Sequence, residues 1–185
     1  MYLPTTHQHL TADEFAALPE GPPYFQLVEG ELYFMASPTR LHQRIVFRLA
    51  YAIETHLRAH PHSGQVYVAP SDVKLDGGNV FEPDVYFVSP EREHILTDQG
   101  ATGAPDLIVE VLSPSTLRLD REKKRTVYFR AGVRELWFVE PDLRDVEIHF
   151  PADSDGGAMR ILSADQILTT DLLPGWSVPV AELFV

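Results

Sequence analysis

The segment GAPDLIVEVLSPS, residues 103–115, contains the strand from which the rest of the fold can be predicted. Its core, residues 106–112, is almost wholly apolar and is bounded by proline and serine, which is typical of a β-strand. Side chains alternate between the two faces of a strand, and the residues on both faces here are apolar. We therefore expect both faces to be buried, and with them Glu110, which stands in the middle of the run.

A buried Glu110 requires a positively charged partner. Burying an ionised carboxylate without one costs several kcal/mol or forces the group to protonate. A helix is predicted at residues 120–131, in which Lys124, Val127 and Tyr128 are spaced to lie on one face. Lys124 therefore belongs to the face that packs on the sheet and is the candidate partner of Glu110, while the flanking basic residues can stay in water.

A second carboxylate is predicted to lie beside Glu110. The β-rich runs 65–75 and 79–88 are joined by Asp-Gly-Gly-Asn at 76–79, which predicts a β-hairpin. The second arm carries Asp84, preceded by proline, immediately before the apolar end of that arm. Asp84 is thus expected at the start of a strand that can lie next to the strand of Glu110, so that two carboxylates and one lysine converge.

Such a group of side chains suits a hard divalent cation. Mg²⁺ and Mn²⁺ take oxygen ligands, and the two carboxylates with the backbone carbonyl of Val111 would provide them. A metal held this way polarises a phosphoryl oxygen and lowers the pKa of bound water, while Lys124 orients that water or stabilises charge on the phosphate. The chemistry indicated is metal-assisted phosphodiester hydrolysis. The alternative is a purely structural Glu110–Lys124 ion pair, and spacing alone leaves both readings open.

The remaining elements indicate an α/β fold. A capping-box pattern at 11–14 predicts a short helix, and residues 24–35 suggest a hairpin or bent strand pair. Apolar residues recur every four positions from 38 to 60, as in a long amphipathic helix. Residues 90–104 look like a loop. The runs 135–141 and 145–150 predict a further hairpin.

The order of these elements predicts an α/β layered domain with a mixed β-sheet flanked by helices. The C-terminal tail, residues 167–185, is apolar enough to pack on the core or to sit in a dimer interface. Composition agrees with one domain over residues 1–185, because 44% of the 185 residues are hydrophobic. No run of about 18 apolar residues is present, so we expect no membrane span.

Charge and cysteine content limit the function classes. The chain has no cysteine, and its N-terminus does not resemble a signal peptide, so a cytoplasmic location is expected. It carries 15 Lys and Arg against 27 Asp and Glu, a net charge of −12, which opposes non-specific attraction to nucleic acid.

Basic residues are nevertheless concentrated in two places. Residues 118–134 contain seven of them, namely Arg118, Arg121, Lys123, Lys124, Arg125, Arg130 and Arg134. Arg40, Arg44 and Arg48 line one face of the long helix. Each set is interpreted as a solvated helix face or, alternatively, as a surface for phosphates. His56, His60 and His62 are favoured as surface histidines, because no third ligand for a metal is evident near them.

Four sequence blocks together resemble a known family. They are Glu82-Pro83-Asp84, the run PDLIVEVLSPST at 105–116, Lys124 three residues before Val127-Tyr128, and GVRELWFVEP at 132–141. This set resembles the Uma family of restriction-endonuclease-like proteins, part of the PD-(D/E)XK nuclease superfamily. The resemblance continues to Tyr24–Glu31, Ser37-Pro38 and His42 upstream and to Leu173–Trp176 and Leu183-Phe184 downstream, so it covers nearly the whole chain.

The resemblance implies a role for each site residue. Asp84 and Glu110 would be the metal-binding acids and, with Lys124, the catalytic residues. The superfamily's usual lysine, two positions after the glutamate, is replaced by Leu112, and Lys124 resembles the relocated lysine of this family. Gln26 stands where the family generally has an acid. Glu29 and His42 remain secondary candidates.

Three hypotheses follow. The first is a Mg²⁺- or Mn²⁺-dependent endonuclease that cuts DNA with a water nucleophile, as a homodimer because two strands are cut more easily by two sites. The second is a module that keeps the nuclease fold and binds nucleic acid or protein without cutting. The third is a structural or regulatory protein in which Glu110 and Lys124 only pair with each other.

Overall fold

The computed structural model describes residues 9–19, 21, 23–35, 37–113, 119–151 and 159–185. Its helical elements are α1 (Ala12–Ala16), α2 (Arg40–Ala59), a π-helical segment (Leu119–Lys124) that leads directly into α3 (Arg125–Ala131), and two 3-10 helices, Pro90–Ile95 and Val180–Phe184. Thr11 closes a capping box at the start of α1. Gly132 ends α3 in the left-handed conformation, at a φ of 102°.

The described residues form fourteen strands. They are β1 (Phe25–Val28), β2 (Glu31–Phe34), β3 (Gln65–Val68), β4 (Asp72–Asp76), β5 (Asn79–Phe81), β6 (Val85–Val88), β7 (Leu96–Thr97), β8 (Gly100–Thr102), β9 (Leu107–Val111), β10 (Glu135–Glu140), β11 (Asp145–His149), β12 (Met159–Leu162), β13 (Ile167–Thr169) and β14 (Ser177–Pro179). The first sheet has the order β2-β1-β5-β4-β8-β7, and the second has the order β12-β11-β10-β9-β6-β3. Both are mixed, because β4 is parallel to β8 and β9 is parallel to β10.

The long hairpin divides between these two sheets. Its inner parts, β4 and β5, pair in the first sheet, whereas its outer parts, β3 and β6, pair in the second. The chain therefore crosses from the first sheet to the second between Phe81 and Val85. Asp84 lies on this crossing.

Strand β9 is buried on both faces, as its sequence predicts. Leu107, Val109 and Val111 face a core formed with α2 and the C-terminal tail. Ile108 and Leu112 face a second core, which contains buried side chains of the first sheet and of α3. The tail packs on the first of these cores, where Trp176 stacks on Trp137 with ring centroids 5.6 Å apart.

The structure confirms the α/β class with mixed sheets flanked by helices, and it confirms the long helix and the hairpins predicted at residues 65–88 and 135–150. Residues 24–35, predicted as a hairpin or a bent strand pair, form the β1–β2 hairpin. The prediction of a loop at residues 90–104 is wrong, because that segment contains a 3-10 helix followed by β7 and β8. These strands are two and three residues long, too short to show an alternating pattern. Residues 114–118, which include Arg118, lie outside the described part of the chain.

In the ranges that the structure describes, no helix has both the length and the apolar character needed to cross a membrane.

Candidate active site

Asp84 and Glu110 are brought together by the pairing of β6 with β9. These strands run antiparallel with Val85 opposite Val109, so the next position in the register places Asp84 opposite Glu110. Residues directly opposite each other in an antiparallel pair point to the same face. The sequence-based expectation that the two strands are neighbours therefore holds.

Glu110 is 4% exposed, and its carboxylate is held by two side chains of the following helix. Lys124 Nζ lies 3.0 Å from Glu110 Oε1, and the Tyr128 hydroxyl donates to the same oxygen at 2.5 Å. Lys124 is also 4% exposed, so the predicted ion pair is deeply buried. The i, i+4 spacing of Lys124 and Tyr128 lets both reach one oxygen.

Asp84 is fixed through a single oxygen. The backbone amide of Val111 donates to Asp84 Oδ2 at 2.7 Å, and His42 Nε2 lies 3.2 Å from that same atom. Burial alone would lower the pKa of His42, but the hydrogen bond and charge of Asp84, with the charge of Glu110, raise it above the ordinary histidine value. His42, only a secondary candidate from the sequence, thus lies within the site.

The sequence contains two Pro-Asp pairs ahead of strands, and the structure distinguishes them. Asp106 is fully buried at the opposite end of β9 from the cavity that Asp84 lines. It accepts a hydrogen bond from the Ser89 amide and lies 3.4 Å from Arg92 Nε and 3.2 Å from Arg134 Nη1. Asp106 is therefore a structural anchor for two arginines.

The site opens into a cavity of about 940 Å³. Its polar lining consists mainly of Gln26, His42, Glu82, Asp84, Glu110, Lys124, Glu140 and Asp142. Burial, reinforced by the charge of Asp72 and opposed by Lys124, raises the pKa of Glu82. Burial also raises the pKa of Glu140. Among the described residues, the lining therefore contains more carboxyl groups than basic side chains.

The donor set fits a hard divalent cation that keeps several waters. Within the described ranges, no group of three or more His, Cys, Asp and Glu side chains is arranged to hold a metal. Asp84 and Glu110 nevertheless lie in one cavity, and Gln26 Oε1, buried in its lining, has no hydrogen-bond partner among the described residues. An orphaned carboxamide oxygen and carboxylates are the ligands that Mg²⁺ accepts alongside water.

The basic helix is engaged with the protein rather than wholly solvated. Arg121 binds both carboxylate oxygens of Glu147 on β11, at 2.7 and 3.1 Å. Lys123, expected to stay in water, lies 2.7 Å from the Tyr33 hydroxyl and 3.2 Å from Glu31 Oε2 on β2. Three cations of one short segment thus contact β11, the first sheet and β9.

Other sequence candidates lie outside the cavity lining. Arg44 and Arg48 donate to backbone carbonyls of Val185 and Glu182, respectively, so they bind the C-terminal segment. Glu29 lies in the turn between β1 and β2, with Arg130 Nη1 3.8 Å from its carboxylate. The rings of His56 and His60 contact each other on α2, and the described residues contain no metal cluster there.

Tyr128 and Gln26 are members of the site that the sequence analysis does not propose as candidates. Tyr128 is predicted only to share a face with Lys124, although a hydroxyl four residues from Lys124 could reach the same partner. Gln26 is noted only as standing where the family generally has an acid, and the fold of β1 brings it to the cavity.

The fold has a known structural counterpart. A crystal structure of a protein from Anabaena variabilis ATCC 29413, described as a "putative nuclease belonging to DUF820", superposes with a TM-score of 0.79 and covers 95% of this chain and 97% of that one. The identity is 19%, so this likeness shows the fold alone.

The family is shown by the sequence match. Residues 12–181 match the Uma2 family, described as "Putative restriction endonuclease", and the chain therefore belongs to that family. A relative, the uncharacterized protein sll1609 of Synechocystis sp. (strain ATCC 27184 / PCC 6803 / Kazusa), is 27% identical over 132 residues, which are 69% of this chain and 72% of that protein. Family membership supports a nuclease-like function.

The Arg121–Glu147 pair should stabilise the segment that carries Lys124. Glu147 is 6% exposed, so Arg121→Met leaves this buried carboxylate with His149 Nε2, 3.1 Å away, as its remaining side-chain partner among the described residues. Because the buried carboxylate loses a charged partner, we expect the free energy of unfolding to fall by about 1–2 kcal/mol. Partial solvation of Arg121 keeps the loss from being larger. Urea unfolding measures this loss.

The matched control is Arg58→Met, which breaks the exposed Arg58–Glu54 pair on α2. It should cost no more than about 0.5 kcal/mol. Equal losses in the two variants would show that the Arg121 pair adds no special stability.

Proposed function

We propose that this chain is a Mg²⁺- or Mn²⁺-dependent endonuclease that hydrolyses DNA phosphodiester bonds with a metal-activated water. One observation carries the proposal: Asp84, Glu110 and Lys124 line one cavity, with Glu110 on β9 and Asp84 immediately before the neighbouring strand β6. Membership of a family described as "Putative restriction endonuclease" supports the same reaction class.

In this proposal Asp84 and Glu110 hold the metal ion. Bound there, the ion would polarise a phosphoryl oxygen and lower the pKa of a water ligand. His42 and the Val111 amide position Asp84, because both contact its Oδ2 and so orient the carboxylate. Tyr128 positions Glu110 in the same way through Oε1.

Lys124 supplies the cation for the phosphate. It occupies the charge role that the superfamily usually gives to a lysine two positions after the glutamate, where this chain has Leu112. A buried ammonium group stabilises negative charge on the reacting phosphate more strongly than a solvated one, because the surroundings screen it less. Its burial at 4% exposure supports this role.

DNA is the proposed partner, despite the net charge of −12. Because Arg121 and Lys123 have acidic partners within the protein, the basic segment offers fewer cations to phosphates than its sequence suggests. Binding by general electrostatic attraction should thus be weak, and recognition must come largely from the cavity and its metal. A cytoplasmic location stays a prediction.

The proposal predicts metal binding that depends on the two acids. Isothermal titration should show Mg²⁺ or Mn²⁺ binding to the wild type, with uncleavable DNA present where needed, and none to Glu110→Gln or Asp84→Asn. DNA cleavage should fall at least about 100-fold in these variants and in Lys124→Met. Thermal unfolding checks that each variant is folded.

Asp98→Asn is the matched control, since it removes an exposed carboxylate between β7 and β8 that does not line the cavity, and it should leave binding and cleavage unchanged. Retained cleavage in one of the three site variants would remove that residue from the mechanism. If the protein bound DNA but gave no cleavage product in the presence of Mg²⁺ or Mn²⁺, the non-catalytic binding module would be favoured instead. A Glu110→Leu, Lys124→Met double variant of undiminished stability and activity would reduce the pair to a structural role.

The predicted homodimer has one candidate surface on α2. Phe47 and Tyr51 stack on each other while 68% and 65% exposed. The same helix carries Glu54 and Arg58, opposite charges that can pair with a second copy across a two-fold axis. Sedimentation velocity should show a dimer for the wild type and a monomer for the double variant Phe47→Glu, Tyr51→Glu. A wild type that stays monomeric at every concentration would contradict this.

A further inference from the structure

The cavity has an apolar wall in addition to its acidic residues. Tyr24, Met35 and Leu41 belong to its lining. Tyr24 is 58% exposed and Leu41 is 42% exposed, whereas Glu110 and Lys124 are each 4% exposed. The ionic group therefore lies at the buried end of the cavity, and the aromatic and aliphatic side chains lie at its solvent-accessible end.

The dimensions of the cavity suit a single nucleotide rather than a paired duplex. A volume of about 940 Å³ is in the range of sites that enclose a small molecule. A base within a duplex has both faces covered by its neighbours and its pairing edge occupied, so it cannot lie against a protein ring without leaving the stack. An unpaired base has both faces open.

The charge distribution points the same way. Among the described residues, five carboxyl groups line the cavity, namely Glu82, Asp84, Glu110, Glu140 and Asp142, against one lysine. Affinity for duplex DNA comes chiefly from cations that neutralise many phosphates, and this acidic lining is poorly suited to that. Stacking of a base on an aromatic ring needs no such cations and accepts any base.

We propose that Tyr24, in the cavity that Leu41 also lines, forms a seat for one unpaired nucleobase next to the phosphate that is cut. The substrate is accordingly a DNA strand with an unpaired nucleotide at the cleavage point, as in a single strand or at an extrahelical base. This inference rests on the proposed nuclease function, because it assigns the reacting phosphate to the Asp84–Glu110–Lys124 end of the same cavity.

Fluorescence anisotropy tests the seat with three uncleavable fluorescein-labelled probes of one sequence in Mg²⁺. They are a single strand, the fully paired duplex, and the duplex with one unpaired nucleotide. The single strand and the duplex with one unpaired nucleotide should bind the wild type at least about tenfold more tightly than the fully paired duplex. Tyr24→Ala should lose about tenfold of that affinity, and Tyr24→Phe, which keeps the ring, should retain it.

Phe34→Ala is the matched control, because Phe34 is 62% exposed in β2 but does not line the cavity. It should bind all three probes as the wild type does. Equal or tighter binding of the paired duplex, no effect of Tyr24→Ala, or no binding of any probe would each overturn the seat.

The seat and the nuclease proposal fail in different ways. Suppose that the uncleavable single strand binds in a way that depends on Tyr24 while a cleavable strand of the same sequence is not cut in Mg²⁺ or Mn²⁺. That result would support the seat and reject the nuclease. Cleavage of the paired duplex in preference to the single strand, undiminished by Tyr24→Ala, would support the nuclease and overturn the seat.

Discussion

The buried ion pair between Glu110 and Lys124 is the constraint on which the rest of the site depends. A charge in the middle of a strand that is buried on both faces must be matched by a cation at short range, or the strand cannot be buried as it is. Lys124 meets that requirement at 3.0 Å. The contact between Lys124 and Glu110 therefore fixes how the helical segment packs on β9. This packing in turn determines which side chains of the segment face which sheet.

That packing explains the contacts of the neighbouring cations. With Lys124 directed at β9, Arg121 reaches β11 and Lys123 reaches β2 of the other sheet. A segment of six residues thereby contacts both sheets. The segment is π-helical, a form that is rare and occurs often at functional sites, and here it ends at the lysine of the site.

Much of this could be predicted from the sequence, because the decisive signals were local. The alternation in β9 placed Glu110 on a buried face, the helical spacing gave Lys124, and the proline before Asp84 gave the start of β6. The partners of Arg121 and Lys123 could not be predicted, since Glu147 and Glu31 lie 26 and 92 residues away in the chain. His42 and Gln26 join the site only when α2 and β1 pack beside the crossing between the sheets, so spacing gave no sign of them.

Glu110 and Lys124 can have a structural role and a catalytic role at once, because in both roles each of the two charges needs an opposite charge nearby. Without a bound metal ion, Lys124 is a counter-charge for the buried Glu110, 3.0 Å away. If Glu110 shared its charge with a divalent cation, the ammonium group would need another anion, and in the proposed mechanism the phosphate of the substrate would supply it. A pair that stabilises the fold in the absence of substrate can thus be the same pair that receives it, and loss of either charge should affect stability and catalysis together.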